Sequence, residues 1–325
     1  MIALRAATTC LHLSLTSRLP YDDQQPLAQA IGLACYGEEP RCERLNQSGN
    51  AVFRMVFRDG ARVLKVAAGT IDPKIGKEAA ALAALAASEV PVPKLEHADA
   101  QGARLGRPFF ITTDEGADTV GSLCQASPEA GAAWAERMGE VLARVHGIEL
   151  GAHPGLVEVL EHAEIGRFWP QVRQAAKAFA EAGVFDSRDV ERFLAHAPPD
   201  AAGEALCHAD FSGKQCVVSE GRIAAVVDWA AAWIGDPSID LAIAASHWDL
   251  AGVTGASEAM LAGYRRVSPL PERYESIERA ARMAFLVHVV GLWHEQGASS
   301  WRAAQLGGKL DRARALFADY AQRLD

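Results

Sequence analysis

Regular alternation of apolar and polar positions begins in the segment AVFRMVF, residues 51–57, where the phenylalanine and methionine side chains share one face. A second apolar segment, ARVLKVA, follows at residues 61–67 after a turn that contains Asp59 and Gly60. A period of two is typical of a strand with one buried face, and an Asp-Gly turn between two such strands favours a hairpin. The pattern therefore predicts a β-hairpin.

A helix is predicted directly after this hairpin. Asp72 can cap its first turn, Pro73 suits the first helical position, and the residues that follow are rich in alanine and leucine. The segment GRPFFITT, residues 106–113, predicts another strand. These elements define a β-rich lobe over residues 31–115. Residues 1–30 have no clear periodicity, and we expect them to form an N-terminal extension.

Helical periodicity dominates residues 116–325, the rest of the chain. The segment RMAFLVHVVGLW, residues 282–293, is apolar on all sides, which is typical of a buried helix. The exception is a pair of short apolar runs at residues 215–219 and 221–227, which predicts a second hairpin. We therefore expect an α+β, bilobal protein with a small β-rich N-terminal lobe and a larger, mainly helical C-terminal lobe.

Composition narrows the class of protein and of partner. Half of the 325 residues are hydrophobic and 22% are charged, as in ordinary globular proteins. The 32 basic and 41 acidic residues give a net charge of −9 without any basic run, which argues against a nucleic-acid partner and leaves room for a cationic ligand.

Cysteine usage and hydropathy bear on the compartment. The six cysteines form no CxxC pair, so neither a zinc site nor a disulfide framework is indicated, and we expect a cytoplasmic protein. The N-terminal segment is too polar for a signal peptide, and no stretch approaches roughly 18 uncharged apolar residues, so no membrane partner is expected. A monomer and a homodimer are both compatible with the sequence.

The candidate chemistry is concentrated in CHADFSGKQCVV, residues 207–218, and in AAVVDWAAAWIGDPSIDLA, residues 224–242. Phosphoryl transfer needs a carboxylate that orients the attacking hydroxyl and oxygen ligands that hold Mg²⁺ against the nucleotide phosphates. Asp210 follows His208 in an H-x-D arrangement, and Asp228 ends the apolar run of the second predicted hairpin. A single hairpin between them is long enough to bring the Asp228 carboxylate close to that of Asp210.

Lys65 and Glu78 form a second candidate pair, in the N-terminal lobe. Lys65 lies on the apolar face of a predicted strand, where an unpaired ammonium group is costly. Glu78 shares the apolar face of the following helix, because apolar residues stand three and four positions from it. We expect the two side chains to pair, which leaves the ammonium group to hold the α- and β-phosphates of a nucleotide. The alternative is an ordinary surface lysine and a solvated glutamate.

The segments HADFSGKQ, VVDW and GDPSIDLA resemble the motifs H-G-D-x-x-x-x-N, I-D-W and G-D-P-x-x-D-L-A of the aminoglycoside phosphotransferase and choline kinase family. The resemblance extends over residues 41 to 295 and implies a protein-kinase-like fold, ATP or GTP as co-substrate and Mg²⁺ as cofactor. It also implies roles for five residues: Asp210 as catalytic base, Gln215 and Asp228 as metal ligands, and His208 and Asp240 as supports of the catalytic loop.

Two positions depart from the motifs of that family. Ala209 stands where the family has glycine, which adds one methyl group, and we expect little effect from it. Gln215 stands where the family has asparagine, and its extra methylene moves the amide oxygen relative to a metal ion that demands octahedral geometry.

Further nucleotide contacts are predicted from position alone. Backbone N–H groups of the loop at Ser48, Gly49 and Asn50 can lie over the phosphates, although a plain turn is the alternative there. The resemblance to kinases places the adenine contacts at the end of the strand FFITT, at Thr113 and Glu115.

Acidic residues near the expected cleft bear on the phosphate acceptor. An acidic rim suits an aminoglycoside or another amine-bearing acceptor, whereas a row of charges on a helix is typical of a solvated face. The rim residues are Asp114, Glu115, Asp118, Asp249 and Glu295, and the row is Glu158, Glu161 and Glu164. The predicted function is therefore phosphorylation of a hydroxyl group on a small molecule, with an aminoglycoside or another antibiotic as the first candidate for the acceptor. The alternatives are a choline-like, sugar or amino-sugar kinase.

A nucleotide-binding pseudokinase is the alternative of another class, since Gln215 departs from the metal-binding motif. The intact set of Lys65, Asp210 and Asp228 favours an enzyme.

Overall fold

The N-terminal lobe is built on a five-stranded antiparallel sheet. The computed structural model describes residues 24–46, 49–160, 165–196, 203, 205–295 and 300–324, without the side chains of 165–168, 295 and 300–307. The strand order is β1-β2-β3-β5-β4. The strands are β1 (Arg41–Arg44), β2 (Ala51–Phe57), β3 (Gly60–Val66), β4 (Leu95–Asp99) and β5 (Phe109–Thr113).

Strands β2 and β3 form the predicted hairpin, with Phe57 opposite Gly60 across the turn. Every second residue of β2 is buried, including Phe53 and Met55, and these side chains form one side of the lobe's core. The period-two pattern is therefore confirmed. Strands β1 and β4, which are short and carry several charged side chains, were not predicted, because they show no comparable alternation.

A helix that the sequence pattern missed, α1 (Gln24–Tyr36), packs against strands β1 and β2. Ala28 and Ile31 are fully buried in the same cluster as Phe53. The predicted extension over residues 1–30 is thus wrong for its last seven residues, which belong to the folded lobe. Apolar residues stand on several sides of α1, including the exposed Leu33, so its periodicity is too weak to be recognised from the sequence.

Helix α2 (Pro73–Leu85) lies where the sequence predicts it. The Asp72 side chain accepts a hydrogen bond from Lys74 N at 2.9 Å, and Pro73 occupies the first helical position. Ile75 and Leu82 are buried on the same face as Glu78. The capped helix therefore directs one carboxylate towards the interior of the protein.

The C-terminal lobe is mainly helical, as expected. Its helices are α3 (Val120–Ala126), α4 (Gly131–His146), α5 (Pro154–Val159), α6 (Ile165–Glu181), α7 (Ser187–Ala195), α8 (Pro237–Ala251), α9 (Ala256–Val267), α10 (Tyr274–Glu295) and α11 (Ser300–Gln322). The predicted buried helix is the second half of α10, where Met283, Leu286 and Val287 are fully buried. No helix within the described parts of the chain has the length and apolar character needed to cross a membrane.

Short strands connect the helices of this lobe. They are β6 (Asp118–Thr119), β7 (Ala205–Cys207), β8 (Cys216–Ser219), β9 (Arg222–Val226) and β10 (Trp233–Gly235), arranged as β6-β8-β9 and β7-β10. The β8–β9 hairpin confirms the second predicted hairpin. Its two-residue turn, Glu220-Gly221, has positive φ at both positions, the geometry that matches the twist of a tight hairpin.

Helices α4 and α9 approach closely where two glycines face the opposite backbone. A methyl group on Gly139 would overlap the carbonyl group of Met260, and one on Gly263 would overlap that of Glu136. Both contacts are with backbone atoms, which cannot move aside as a side chain can. Glycine is therefore required at these positions by space and not by backbone conformation.

We expect Gly139→Ala to destabilise the protein by about 1–3 kcal/mol, the usual cost of overpacking a core, although alanine favours helices over glycine by about 1 kcal/mol. Urea unfolding measures the difference. Gly151→Ala is the matched control, because a methyl group there meets no atom within 4 Å. Equal unfolding midpoints for the two variants would contradict the close-contact explanation.

Candidate active site

Lys65 forms ion pairs with residues of both lobes. Its Nζ lies 2.6 Å from Oε2 of Glu78 on α2 and 2.7 Å from Oδ1 of Asp228, which follows β9. The predicted Lys65–Glu78 pair is present, and Asp228 joins it. Burial lowers the pKa of Lys65, but the two carboxylates raise it by more, so the ammonium group stays charged.

His208 connects the loop of Asp210 to the residue before Asp228. The ring is fully buried, 4.7 Å from the ring of Trp229 between centroids, and its Nε2 lies 3.1 Å from the carbonyl oxygen of Val227. Its Nδ1 lies 3.4 Å from Asp210 N, which fits a neutral ring that donates from Nε2 and accepts at Nδ1. Burial lowers the pKa of His208, which favours this neutral form. The histidine therefore brings the two aspartate loops together.

The side chain of Asp240 supports the loop that carries Asp210. Its fully buried carboxylate accepts hydrogen bonds from the backbone N–H groups of His208 and Ala209, both at 2.8 Å. Burial raises the pKa of Asp240, but the hydrogen bond with His146 and nearby charges lower it by more, so the group is ionised. Asp236, one turn earlier, caps helix α8, because its side chain accepts a hydrogen bond from Ser238 N at 2.8 Å.

His146 is a supporting residue that the sequence reasoning missed. Its Nε2 lies 3.1 Å from Asp240 and its Nδ1 lies 2.9 Å from the hydroxyl of Tyr264. Cys207 is close enough to complete a group of three metal-ligand types, but its thiol contacts the carbonyl oxygen of Ala205 and burial raises the pKa of the thiol. Hydrogen bonds therefore account for this cluster. In the sequence, the one signal for His146 was its position in the last turn of α4.

The backbone has left-handed φ values at Ala209 (67°) and at Asp228 (65°). This conformation costs roughly 1–2 kcal/mol for a residue with a side chain, whereas glycine adopts it freely. The expectation that alanine in place of glycine has little effect therefore needs correction, because the added methyl group stands at a strained position. The hydrogen bond from Ala209 N to Asp240 holds the strained loop in place.

Gln215 contacts Asp210 directly. Its Nε2 donates to Asp210 Oδ2 at 3.2 Å, and its Oε1 accepts from the hydroxyl of Ser212. An amide oxygen has a second lone pair, so Oε1 can still act as a ligand. The Asp228 side chain is 45% exposed, and among the described residues only Lys65 bonds to it. One amide oxygen and one accessible carboxylate fit a hard divalent cation such as Mg²⁺.

The loop predicted to cover the phosphates is braced from within. The Asn50 side chain donates to Asp72 at 2.7 Å and accepts from Ala68 N at 3.1 Å. Gly49 has a φ of 76°, where a glycine is favoured. Ser48 lies outside the described residues. The Asn50 side chain is thus committed to the protein, so within the described part of the loop the backbone groups of Gly49 and Asn50 are the ones that could contact a nucleotide.

The end of strand β5 differs in detail from the prediction. The N–H group of Thr113 donates to the carbonyl of Lys94 at 3.0 Å, and its hydroxyl donates to Glu115 at 2.6 Å. The sheet therefore uses the backbone donor of Thr113. A nucleobase at this edge would depend on the backbone after Thr113, of which Glu115 is the predicted residue.

The acidic residues proposed for the acceptor are mostly paired. The Asp249 carboxylate accepts from the buried guanidinium group of Arg282 and from the hydroxyl of Tyr320 at 2.6 Å. Asp114 is paired with Arg54 at 2.6 Å. The prediction that Asp249 offers a free charge to a cationic acceptor is therefore not supported. The Glu295 side chain lies outside the described residues, as do Glu161 and Glu164.

Comparison with known proteins places this arrangement in a wider group. The family model described as "Phosphotransferase enzyme family" (APH) matches residues 43–277, more than half of the chain. No curated protein sequence matches the chain.

Solved structures share the fold at low sequence identity. A choline/ethanolamine kinase family protein from Mesorhizobium loti is 20% identical, with a TM-score of 0.62 over 93% of this chain and 99% of that one. The amicoumacin kinase hAmiN, in complex with AMP-PNP, Ca²⁺ and Ami, is 16% identical, with a TM-score of 0.62 over 91% and 94%. A thermostable mutant of the aminoglycoside phosphotransferase APH(4)-Ia, in ternary complex with AMP-PNP and hygromycin B, is 15% identical, with a TM-score of 0.61 over 89% and 97%. The predicted protein-kinase-like fold is thereby confirmed.

The low exposure of two histidines gives the free energy of unfolding a predicted pH dependence. Burial lowers the pKa of His208 and of His288 below the ordinary value of 6.5, so below that pH the unfolded chain binds protons that the folded chain does not. We expect the free energy of unfolding to fall with pH below 6.5, by up to about 1.4 kcal/mol per pH unit for each histidine.

Urea unfolding at pH 7.5, 6.5 and 5.5 measures this slope. His288→Leu removes one of the two histidines and should reduce it. A free energy of unfolding that is constant over this pH range would contradict the lowered pKa values of the two histidines.

Proposed function

The chain belongs to the phosphotransferase enzyme family, and from this premise we propose that it transfers the γ-phosphate of ATP or GTP to a hydroxyl group of a small molecule. The protein is a small-molecule phosphotransferase with the protein-kinase-like fold. One observation carries the specific proposal: Lys65 Nζ contacts both Glu78 and Asp228, while His208 ties the loop of Asp210 to the residue before Asp228. In the proposal, Lys65 is the cation that holds the phosphates, Asp228 is the carboxylate that binds the metal, and Asp210 is the base.

Each of these groups has one task in the proposed reaction. Lys65 holds the α- and β-phosphates, and Glu78 fixes the direction of its ammonium group. Asp210 orients the acceptor hydroxyl and accepts its proton as the oxygen attacks the γ-phosphorus and the bond to the nucleoside diphosphate breaks. His208 and Asp240 hold the Asp210 loop through its backbone. The His208 ring accepts a hydrogen bond from Asp210 N, and the Asp240 carboxylate accepts one from His208 N.

A divalent metal is part of this proposal. Asp228 and Gln215 would hold Mg²⁺, since one carboxylate and one amide oxygen are the ligand types that this ion prefers. When bound, the ion neutralises charge on the transferred phosphoryl group. The similar amicoumacin kinase is described with AMP-PNP and Ca²⁺, which supports a site for nucleotide and divalent cation in this fold.

We infer that the acceptor is an aminoglycoside or another antibiotic, in keeping with the similar structures that hold hygromycin B or Ami. A choline-like, sugar or amino-sugar acceptor is the next candidate, because a choline/ethanolamine kinase family protein is similar to the same extent. The paired state of Asp249 and Asp114 reduces the free negative charge expected for a highly cationic acceptor.

The proposed function is tested by acceptor-dependent ADP or GDP formation with Mg²⁺ across aminoglycosides, peptide antibiotics, macrolides, choline and simple sugars. Mass spectrometry of the acceptor should show addition of one phosphoryl group. Tight nucleotide binding without turnover on any acceptor would instead favour a nucleotide-binding pseudokinase.

Asp210→Asn should reduce the turnover number by about 100-fold or more, since a positioned general base contributes roughly that much to rate. The asparagine can still pair with Gln215, so the fold and nucleotide affinity should be retained. The measurements are kcat with the identified acceptor, nucleotide affinity by calorimetry, and the melting temperature. Near-parental turnover would remove Asp210 from the mechanism.

Metal dependence should rank three further variants. Asp228→Ala removes the charged ligand and should raise the Mg²⁺ concentration for half-maximal rate most, followed by Gln215→Ala and then Gln215→Asn, whose oxygen is shorter in reach. A Mg²⁺ titration of activity gives the order. If Gln215→Ala titrates like the parent, Gln215 is not a metal ligand and serves Asp210 alone.

A further inference from the structure

The carboxylate of Asp210 has a polar group against each of its oxygens. Gln215 Nε2 donates to Oδ2 at 3.2 Å, and Nε2 of His247 lies 3.3 Å from Oδ1. Gln215 belongs to the same loop as Asp210, whereas His247 comes from helix α8. His247 therefore adds a contact that the loop itself cannot provide.

The contacting nitrogen of His247 is otherwise unsatisfied. Its Nε2 is buried and makes no well-aligned hydrogen bond to any part of the chain that the structure describes. A buried polar atom without a partner is costly, and such atoms are uncommon in folded proteins. Catalytic hydrogen bonds are often long or poorly aligned before the substrate binds and tighten when it does. The oxygen that lies against this nitrogen belongs to the proposed catalytic base.

Helix α8 explains how His247 reaches this position. Asp240 and His247 are seven residues apart, which is two helical turns, so they lie on the same face of α8. Asp240 holds the backbone of the catalytic loop, and His247 faces the side chain of Asp210. One helix therefore positions both the backbone and the side chain of the proposed base.

Helix α10 fixes the ring of His247 from the other side. Phe285 packs edge-on against it, with ring centroids 4.6 Å apart and planes at 66°. His288, one turn further along α10, is half-buried and close enough for the Asp210 charge to act on it. Within the described parts of the chain, Asp210 is the charged group in contact with the His247 ring, and the aromatic packing leaves the ring little freedom to turn.

We propose that His247 is a positioning residue for Asp210. Its Nε2–H donates to Oδ1 when the acceptor binds, while Gln215 donates to Oδ2, so that two donors fix the plane of the carboxylate. The remaining lone pairs then face the acceptor hydroxyl in one orientation. This role rests on the proposed phosphotransferase function, because it has meaning only if Asp210 orients a hydroxyl.

The test compares His247→Phe, which keeps an aromatic ring against Phe285 but loses the nitrogen, with His247→Gln, which keeps a donor at a similar reach. We expect His247→Phe to lower kcat by roughly 10- to 100-fold with the KM for MgATP unchanged, as a misplaced catalytic group does. His247→Gln should restore most of the rate. The probe is MgATP with the acceptor found in the screen.

His97→Phe is the matched control, because His97 also packs edge-on against an aromatic ring, that of Tyr36, at 5.0 Å between centroids, but lies in the N-terminal sheet. It should leave kcat unchanged. Melting temperatures of all variants separate a folding defect from a catalytic one, and His247→Gln provides the readout if His247→Phe is unstable.

A double-mutant cycle identifies the partner of His247. If His247 acts through Asp210, His247→Phe should cause no further loss of rate in the Asp210→Asn background. A full, additive loss would overturn the inference, as would parental kcat in His247→Phe. A parent chain that phosphorylates no acceptor would overturn the proposed function itself, and this inference with it.

Discussion

The ammonium group of Lys65 connects the proposed catalytic groups of the two lobes. It pairs with Glu78 of its own lobe and with Asp228, 163 residues further along the chain. A buried charge without a partner strongly destabilises a protein, and the two carboxylates supply partners for this ammonium group. The Asp72 cap fixes helix α2 and thereby Glu78, and the β8–β9 hairpin fixes Asp228. Nucleotide phosphates bound at this point would meet a cation whose direction is already set.

A second buried charge, Asp240, organises the loop that carries Asp210. Its oxygens accept two backbone N–H groups and contact His146, so an ionised carboxylate is tolerated away from water. These bonds also hold Ala209 in the left-handed backbone conformation, which is unfavourable for alanine. The same helix presents His247 to Asp210 two turns later. Strain at the loop and rigidity of the helix are therefore parts of one device for placing the proposed base.

The fold does not by itself specify the phosphate acceptor. The similar solved structures share 15–20% of residues with it and have names that refer to different acceptors. One fold can serve several acceptors, because function depends on the side chains of the site and not on the fold. Here the Arg282–Asp249 pair leaves less free negative charge than the sequence suggested.

The sequence by itself determined the hairpins, the capped helix α2, the bilobal class and the candidate set of Lys65, Glu78, Asp210 and Asp228, because periodicity and capping are local and the motifs are short. It did not reveal helix α1, whose apolar residues are spread around the helix, or His146, which lies 94 residues from its partner Asp240. The strain at Ala209, the pairing of Asp249 and the approach of His247 to Asp210 were decided only by the tertiary structure. Each depends on a backbone angle or a distance between remote segments, and such quantities are fixed by packing and not by neighbouring residues.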